Sequence, residues 1–302
     1  MFPVLFSLGP ITIYTFGVFA LLAFFFGTFI IWKRGREANF AEGEIFDSVV
    51  LVTLSGLVGA RITYIVLNFE RFGFSPLLWI SFLRVPGLMF YGGLVGGVVV
   101  GWIICRRKRL EFFTASDIAV TGLSLSQAIG WLGAFFSGFG IGKAVDRFGL
   151  VFPGFTEPRF PAQFVWVFGF ALIFLFLWKV EERYRMFDWY RGKRVTAETG
   201  FLFFSYLALL GILQLLVALF VAPSVYLFRV PVEVVVALFL FGLGMGGLYV
   251  RSGRELSQDG AVLAAFLGGR GRSGMVWLKQ GSRRLRRLLG KKGKVESDKR
   301  KL

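Results

Sequence analysis

The stretch "SVVLVTLSGLVGARITYIVL" (Ser48–Leu67) decides the fold class: it is twenty residues long and carries one charge, Arg61. About 20 predominantly apolar residues are what a helix needs to cross the hydrocarbon of a bilayer. Working outward, six more runs of this kind appear, at Ile11–Trp32, Leu88–Cys105, Ile118 to about Phe136, Phe160–Trp178, Gly200–Val221 and Val232–Val250. The chain of 302 residues is 56% hydrophobic, with 38 Phe and 39 Gly. A soluble domain of that composition has nowhere to place its apolar surface. The expectation is an all-α integral membrane domain of seven helices over residues 1–250, followed by a separate tail at 251–302.

Orientation follows from where Lys and Arg fall. The segments after the first, third and fifth runs, together with the tail, hold 28 of the 35 basic residues. The opposite side holds six: Arg71, Arg84, Lys143, Arg147, Arg159 and Arg229. This predicts the amino terminus outside and the carboxyl terminus inside a bacterial cytoplasmic (inner) membrane. No cationic segment or small-residue cleavage site precedes the first run, so it reads as a retained helix rather than a removable signal peptide.

The single cysteine, Cys105, excludes an internal disulfide framework, and the chain has no histidine. Histidine-based metal sites and histidine bases are thereby removed, and no phosphate-binding loop of the G-x-x-x-x-G-K-[ST] kind occurs. No metal and no cofactor is expected.

What remains is glycine and a few intramembrane polar groups. In "GLMFYGGLVGG" (Gly87–Gly97), the pairs Gly92/Gly96 and Gly93/Gly97, continued by Gly97/Gly101, are spaced to let a neighbouring helix approach closely. Gly242/Gly246 reads the same way. "GWLGAFFSGFGIGK" (Gly130–Lys143) has five glycines and is expected to break the fourth helix and bend back at the outer face, or to form an irregular external loop. Arg61 is costly inside a span and by default faces a cavity, a carboxylate or a lipid phosphate. Glu233, at the outer end of the seventh run, is the acid nearest in depth.

Six blocks in order resemble the prolipoprotein diacylglyceryl transferases: "PVLFSLGPITIYTFG", "GARITY", "GLMFYGGLVGG", "ASDIA", "GWLGAFFSGFGIGKAVDRFGLVF" and "PRFPAQF". The resemblance implies transfer of a diacylglyceryl group from phosphatidylglycerol to the lipobox cysteine thiol of a prolipoprotein at the outer side of the membrane. Such a step needs a base for the thiol and cations for the departing phosphate. Carried over by position, the family's polar groups fall on Trp131 (arginine), Ala134 and Ser137 (asparagines), Phe139 (acid) and Phe160 (histidine). In the sixth run they fall on Gln214, Ala218 and Val221.

Arg61, Tyr91, Lys143 and Gln163 sit at matching positions. The resemblance therefore implies Tyr91 as the candidate catalytic group and Arg61, Lys143 and Gln163 as phosphate ligands. It implies a cavity lined by Gly92, Gly93, Trp131, Ser137, Gly138 and Gln214. The partners implied are phosphatidylglycerol or another anionic phospholipid, together with prolipoprotein signal peptides. Two readings stay open: a catalytically impaired lipid- or lipoprotein-binding relative, a pseudoenzyme, or an active transferase with a reduced site. A transporter or channel is disfavoured, because the spans hold too few polar groups to line a water path.

The tail carries fifteen basic and four acidic residues. Leu278, Leu285 and Leu289 fall on one side of a possible interfacial helix, and the rest reads as a disordered polycation. Nucleic acid is not an expected partner, since any polycation shows that electrostatic footprint.

Overall fold

The structure, a computed structural model, describes residues 2–8, 11–81, 85, 87–181, 183–184, 187, 190, 197–222, 226–227 and 229–253. The helix expected within the tail lies outside these residues. Among them, seven helices are long and apolar enough to cross a membrane. The chain is an all-α, multi-pass integral membrane protein.

An antiparallel hairpin of β1 (Val4–Leu8) and β2 (Ile11–Tyr14) precedes the first helix, α1 (Thr15–Glu37). The first span was expected to start at Ile11. Instead Ile11–Tyr14, rich in β-branched residues that suit a pleated strand, pairs back on Val4–Leu8. The buried Thr15 hydroxyl donates to the Phe2 carbonyl, and the Phe2 N–H donates to Phe136 O at 3.0 Å. The hairpin is thus tied to the end of the fourth span.

The spans that follow are α2 (Glu42–Leu67), α5 (Phe90–Lys108), α6 (Phe112–Ser137), α7 (Ala162–Val180), α8 (Phe201–Ala218) and α9 (Val232–Arg251). Short helices α3 (Phe69–Phe72) and α4 (Pro76–Ile80) lie between α2 and α5, and a small hairpin of β3 (Tyr226–Leu227) and β4 (Val230–Pro231) precedes α9. Lys and Arg end several of these spans: Arg34 and Arg36 on α1, Arg106 to Lys108 on α5, Lys179 on α7, Arg251 on α9.

Helices pair where small residues allow backbone contact, α1 with α6, α2 with α5, and α8 with α9. A Cβ on Gly59 would lie 2.5 Å from Gly92 O, and one on Gly96 would lie 2.7 Å from Ser55 O. Without water to drive apolar association, such close van der Waals contact is what holds membrane helices together. In α9 the seam differs from the expected one. A Cβ at Gly242 or Gly246 would meet nothing within 4 Å, whereas one on Gly244 would lie 2.4 Å from Ala208 N and one on Gly247 2.1 Å from the Phe204 ring. The contacting glycines are three residues apart rather than four and lie on a different face. An aromatic core then joins α7 to α8, with Trp166, Phe170 and Tyr206 buried.

The glycine-rich segment is also less broken than expected. Gly130–Ser137 continues α6 as regular helix, and the break comes at Gly138, whose φ of 77° supplies the left-handed cap. Beyond it the chain runs as irregular backbone to Pro161, pinned by bridges from Arg159 to Ala144 and Leu150.

Candidate functional site

One cavity, of about 180 Å³, lies where α6 ends and α7 begins. Trp131 of α6 and Trp166 of α7 stack at 5.0 Å, nearly parallel, and form one wall. Gln214, Val217 and Ala218 of α8, with Val221 beyond it, form another, and Glu233 in the first turn of α9 closes the ring. Four of the positions that the resemblance assigned to polar groups, Trp131, Gln214, Ala218 and Val221, line this one space, whereas Ala134, Ser137, Phe139 and Phe160 do not. No basic side chain is among its lining residues, and its polar groups include a carboxylate.

The three expected phosphate ligands are each engaged by main chain. Lys143 Nζ donates to Leu219 O at 3.2 Å, where a cation complements the carbonyl end of α8. Gln163 is fully buried and donates through Nε2 to Phe139 O at 2.7 Å, while its Oε1 has no hydrogen-bond partner among the described residues. Arg61, 5% exposed, donates to the carbonyls of Leu78, Trp79, Ser81, Val85 and Gly87. None of the three lines the cavity. What they hold is the chain that returns between spans.

Of the remaining expected residues, Trp131 and Gln214 line the cavity as anticipated. Gly92 and Gly93 do not; they face α2, where a Cβ on Gly92 would lie 2.6 Å from Gly59 O and one on Gly93 3.1 Å from Gly56 O. Ser137 and Gly138 end α6 just before Gly140, which does line the cavity. The Tyr91 ring packs edge-on to Phe90 at 5.7 Å, and Tyr91 does not line the cavity.

A second cavity, of about 290 Å³, lies at the opposite end, where α1 finishes and α6 begins. The buried Arg34 pairs there with Glu37 at 2.8 Å and Glu181 at 3.0 Å, and its guanidinium sits 4.0 Å from the Trp178 ring. Asp117, also buried, accepts from the N–H groups of Gly200 at 2.7 Å and Phe203 at 2.8 Å. It thereby caps the start of α8, whose first N–H groups have no partner within the helix. Sequence reasoning gave Asp117 no role. The signal was available in principle, since an acid five residues inside a 26-residue span is as anomalous as Arg61.

These features define a seven-span membrane protein whose cavity between α6, α7, α8 and α9 is walled by tryptophan and aliphatic side chains around a carboxylate. The chain belongs to the prolipoprotein diacylglyceryl transferase family, whose model matches residues 3–250. Similar relatives are the phosphatidylglycerol–prolipoprotein diacylglyceryl transferases of Clostridioides difficile (30% identical over 183 residues, 60% of this chain and 73% of the relative) and Bordetella avium (34% over 168 residues, 53% and 63%). The Legionella pneumophila (strain Corby) enzyme is 29% identical over 182 residues, covering 58% of this chain and 70% of its own.

Proposed function

We infer that this chain is a catalytically impaired member of its family, resident in the bacterial cytoplasmic membrane. Its cavity holds an apolar portion of a phospholipid or of a prolipoprotein signal peptide. The observation that carries this reading is the lining of the first cavity, where Trp131, Ala218 and Val221 replace polar groups, Glu233 adds a carboxylate, and no basic side chain is among the described lining residues.

The family reaction forms a carbon–sulfur bond as the carbon–oxygen bond to phosphate breaks, and the thiol proton passes to a base. Charge develops on the departing phosphate oxygen, and preorganised donors and cations must meet it. A carboxylate facing that oxygen acts in the opposite sense. Each missing donor slows such a step by about 10² to 10³. The test is incubation of the purified protein with phosphatidylglycerol and a lipobox peptide, following the thioether product by mass. The expected result is a rate at least about 10²-fold below that of the Clostridioides difficile relative under the same conditions. Comparable turnover overturns the reading.

The second reading, an active transferase with a reduced site, draws support from Glu233 in the cavity wall and from the names of the relatives. It requires Glu233 as acceptor of the thiol proton, so the same assay on Glu233→Gln separates the two. Loss of a measurable rate favours the active enzyme.

A further inference from the structure

Arg61 is the one charged side chain in Ser48–Leu67, and the cavity gives it no role. A guanidinium carries five N–H groups. Nε donates to Trp79 O at 2.8 Å, Nη1 to Val85 O at 2.8 Å and Gly87 O at 3.0 Å, and Nη2 to Leu78 O at 3.1 Å and Ser81 O at 3.4 Å. Every N–H thus faces a carbonyl from one returning segment. The ring of Phe72, almost wholly buried, lies 5.0 Å from the guanidinium.

These bonds fix the depth of that segment. Leu67 is the last residue of α2, and Arg61 lies six residues before it, about 9 Å down the helix axis. The chain leaving α2 must fold back along the helix for its carbonyls to reach the guanidinium. The N–H of Met89 donates to Ala60 O at 3.0 Å, which seats the far end at the same level. Gly87 has φ 155°, and a Cβ there would lie 2.1 Å from the Tyr64 ring, so only glycine permits this approach. On the outward side, Phe74, Leu77 and Ile80 recur every third residue and are 87%, 84% and 76% exposed. Ile62, Val66 and Leu67 show the same apolar exposure on α2 itself.

We propose that Phe74–Ser81, with Val85 and Gly87, belongs to a re-entrant element that dips into the bilayer beside α2, with Phe74, Leu77 and Ile80 against lipid acyl chains. Arg61 sits inside the span to satisfy the main-chain carbonyls carried to that depth. Non-helical backbone within hydrocarbon persists only where protein supplies its hydrogen-bond partners, and one guanidinium supplies five. The occupant of the outward face is lipid rather than a protein. The element returns about 9 Å below the end of α2, and α2 and α5 on either side of it are both membrane spans. The inference is independent of what the cavity holds.

Replacing Cys105, the sole cysteine, with alanine gives a background for single cysteines at Leu77, Ile80 and the exposed Glu157. In lipid nanodiscs a membrane-impermeant maleimide should label Leu77→Cys and Ile80→Cys about tenfold or more slowly than Glu157→Cys. A thiol in apolar surroundings forms less thiolate, tenfold less for each unit its pKa rises. A fluorophore placed at either site should be quenched by lipids spin-labelled on the acyl chain more than by lipids labelled on the headgroup. Labelling at the Glu157 rate, or quenching from the headgroup alone, overturns the proposal. Arg61→Lys, with three donors for five carbonyls, should raise the rate at Ile80→Cys towards that of Glu157→Cys, and an unchanged rate overturns the assignment of Arg61. Should that variant not fold, the probes in the Arg61 protein still decide the depth.

Discussion

Gly96 and Gly97 are adjacent in sequence, yet alanine should act on them with opposite sign. A Cβ on Gly96 would lie 2.7 Å from Ser55 O and 3.3 Å from Gly59 Cα, both backbone atoms of α2. A Cβ on Gly97 would lie 3.6 Å from Val52 Cγ1, at ordinary contact distance. Relieving the first clash to 3.4 Å requires α2 and α5 to separate by about 0.7 Å, and a gap of 0.5–1 Å forfeits roughly a quarter to a half of each contact it opens. Overpacking of this kind costs about 1–3 kcal/mol. Replacing glycine by alanine inside a helix returns about 0.5–1 kcal/mol. The net expectation is destabilisation by up to about 2.5 kcal/mol for Gly96→Ala and stabilisation by about 0.5–1 kcal/mol for Gly97→Ala. Reversible unfolding of the purified protein in bicelles, followed by steric trapping, measures both. If Gly97→Ala destabilises as much as Gly96→Ala, the seam is not where the structure puts it.

Asp117→Asn leaves one of the two N–H groups at the start of α8 facing an amide rather than an oxygen, and should destabilise the protein by about 1–3 kcal/mol in the same assay. Wild-type stability would remove Asp117 from its capping role. The distribution of basic residues predicts that a carboxyl-terminal tag is inaccessible from outside intact cells while an amino-terminal tag is reachable, and the reverse pattern would invert the topology. A peptide of residues 275–302 should bind anionic vesicles at about 1 kcal/mol per basic residue near the surface and release as salt rises. Equal binding to neutral vesicles would exclude an electrostatic attachment.

The sequence by itself determined that the chain has seven segments able to span the membrane, roughly where each lies, and the family, though not where the first span begins. Hydropathy is a sum over neighbouring residues and requires no knowledge of what packs against them. For the same reason it identified Arg61 as anomalous; the resemblance to the family, not hydropathy, implied that reactive groups would stand at Trp131, Gln214, Ala218 and Val221. It did not distinguish Gly96 from Gly97, or Gly244 from Gly242, because a spacing of four defines a stripe on a helix and not the azimuth at which a neighbour meets it.

The partners of Arg61, Lys143 and Gln163 were decided only by tertiary structure. A guanidinium, an ammonium and an amide suit a phosphate or a carbonyl equally well. The choice fell to the chain's return, which carries the carbonyls of Leu78, Trp79, Ser81, Val85 and Gly87 back to Arg61 and those of Leu219 and Phe139 to Lys143 and Gln163. Glu233 entered the cavity wall in the same way, through the packing of α9 on α8. A main-chain carbonyl shielded from water needs a donor from the protein, and the return of the chain, which no local reading of residue type reveals, decides which side chain supplies it.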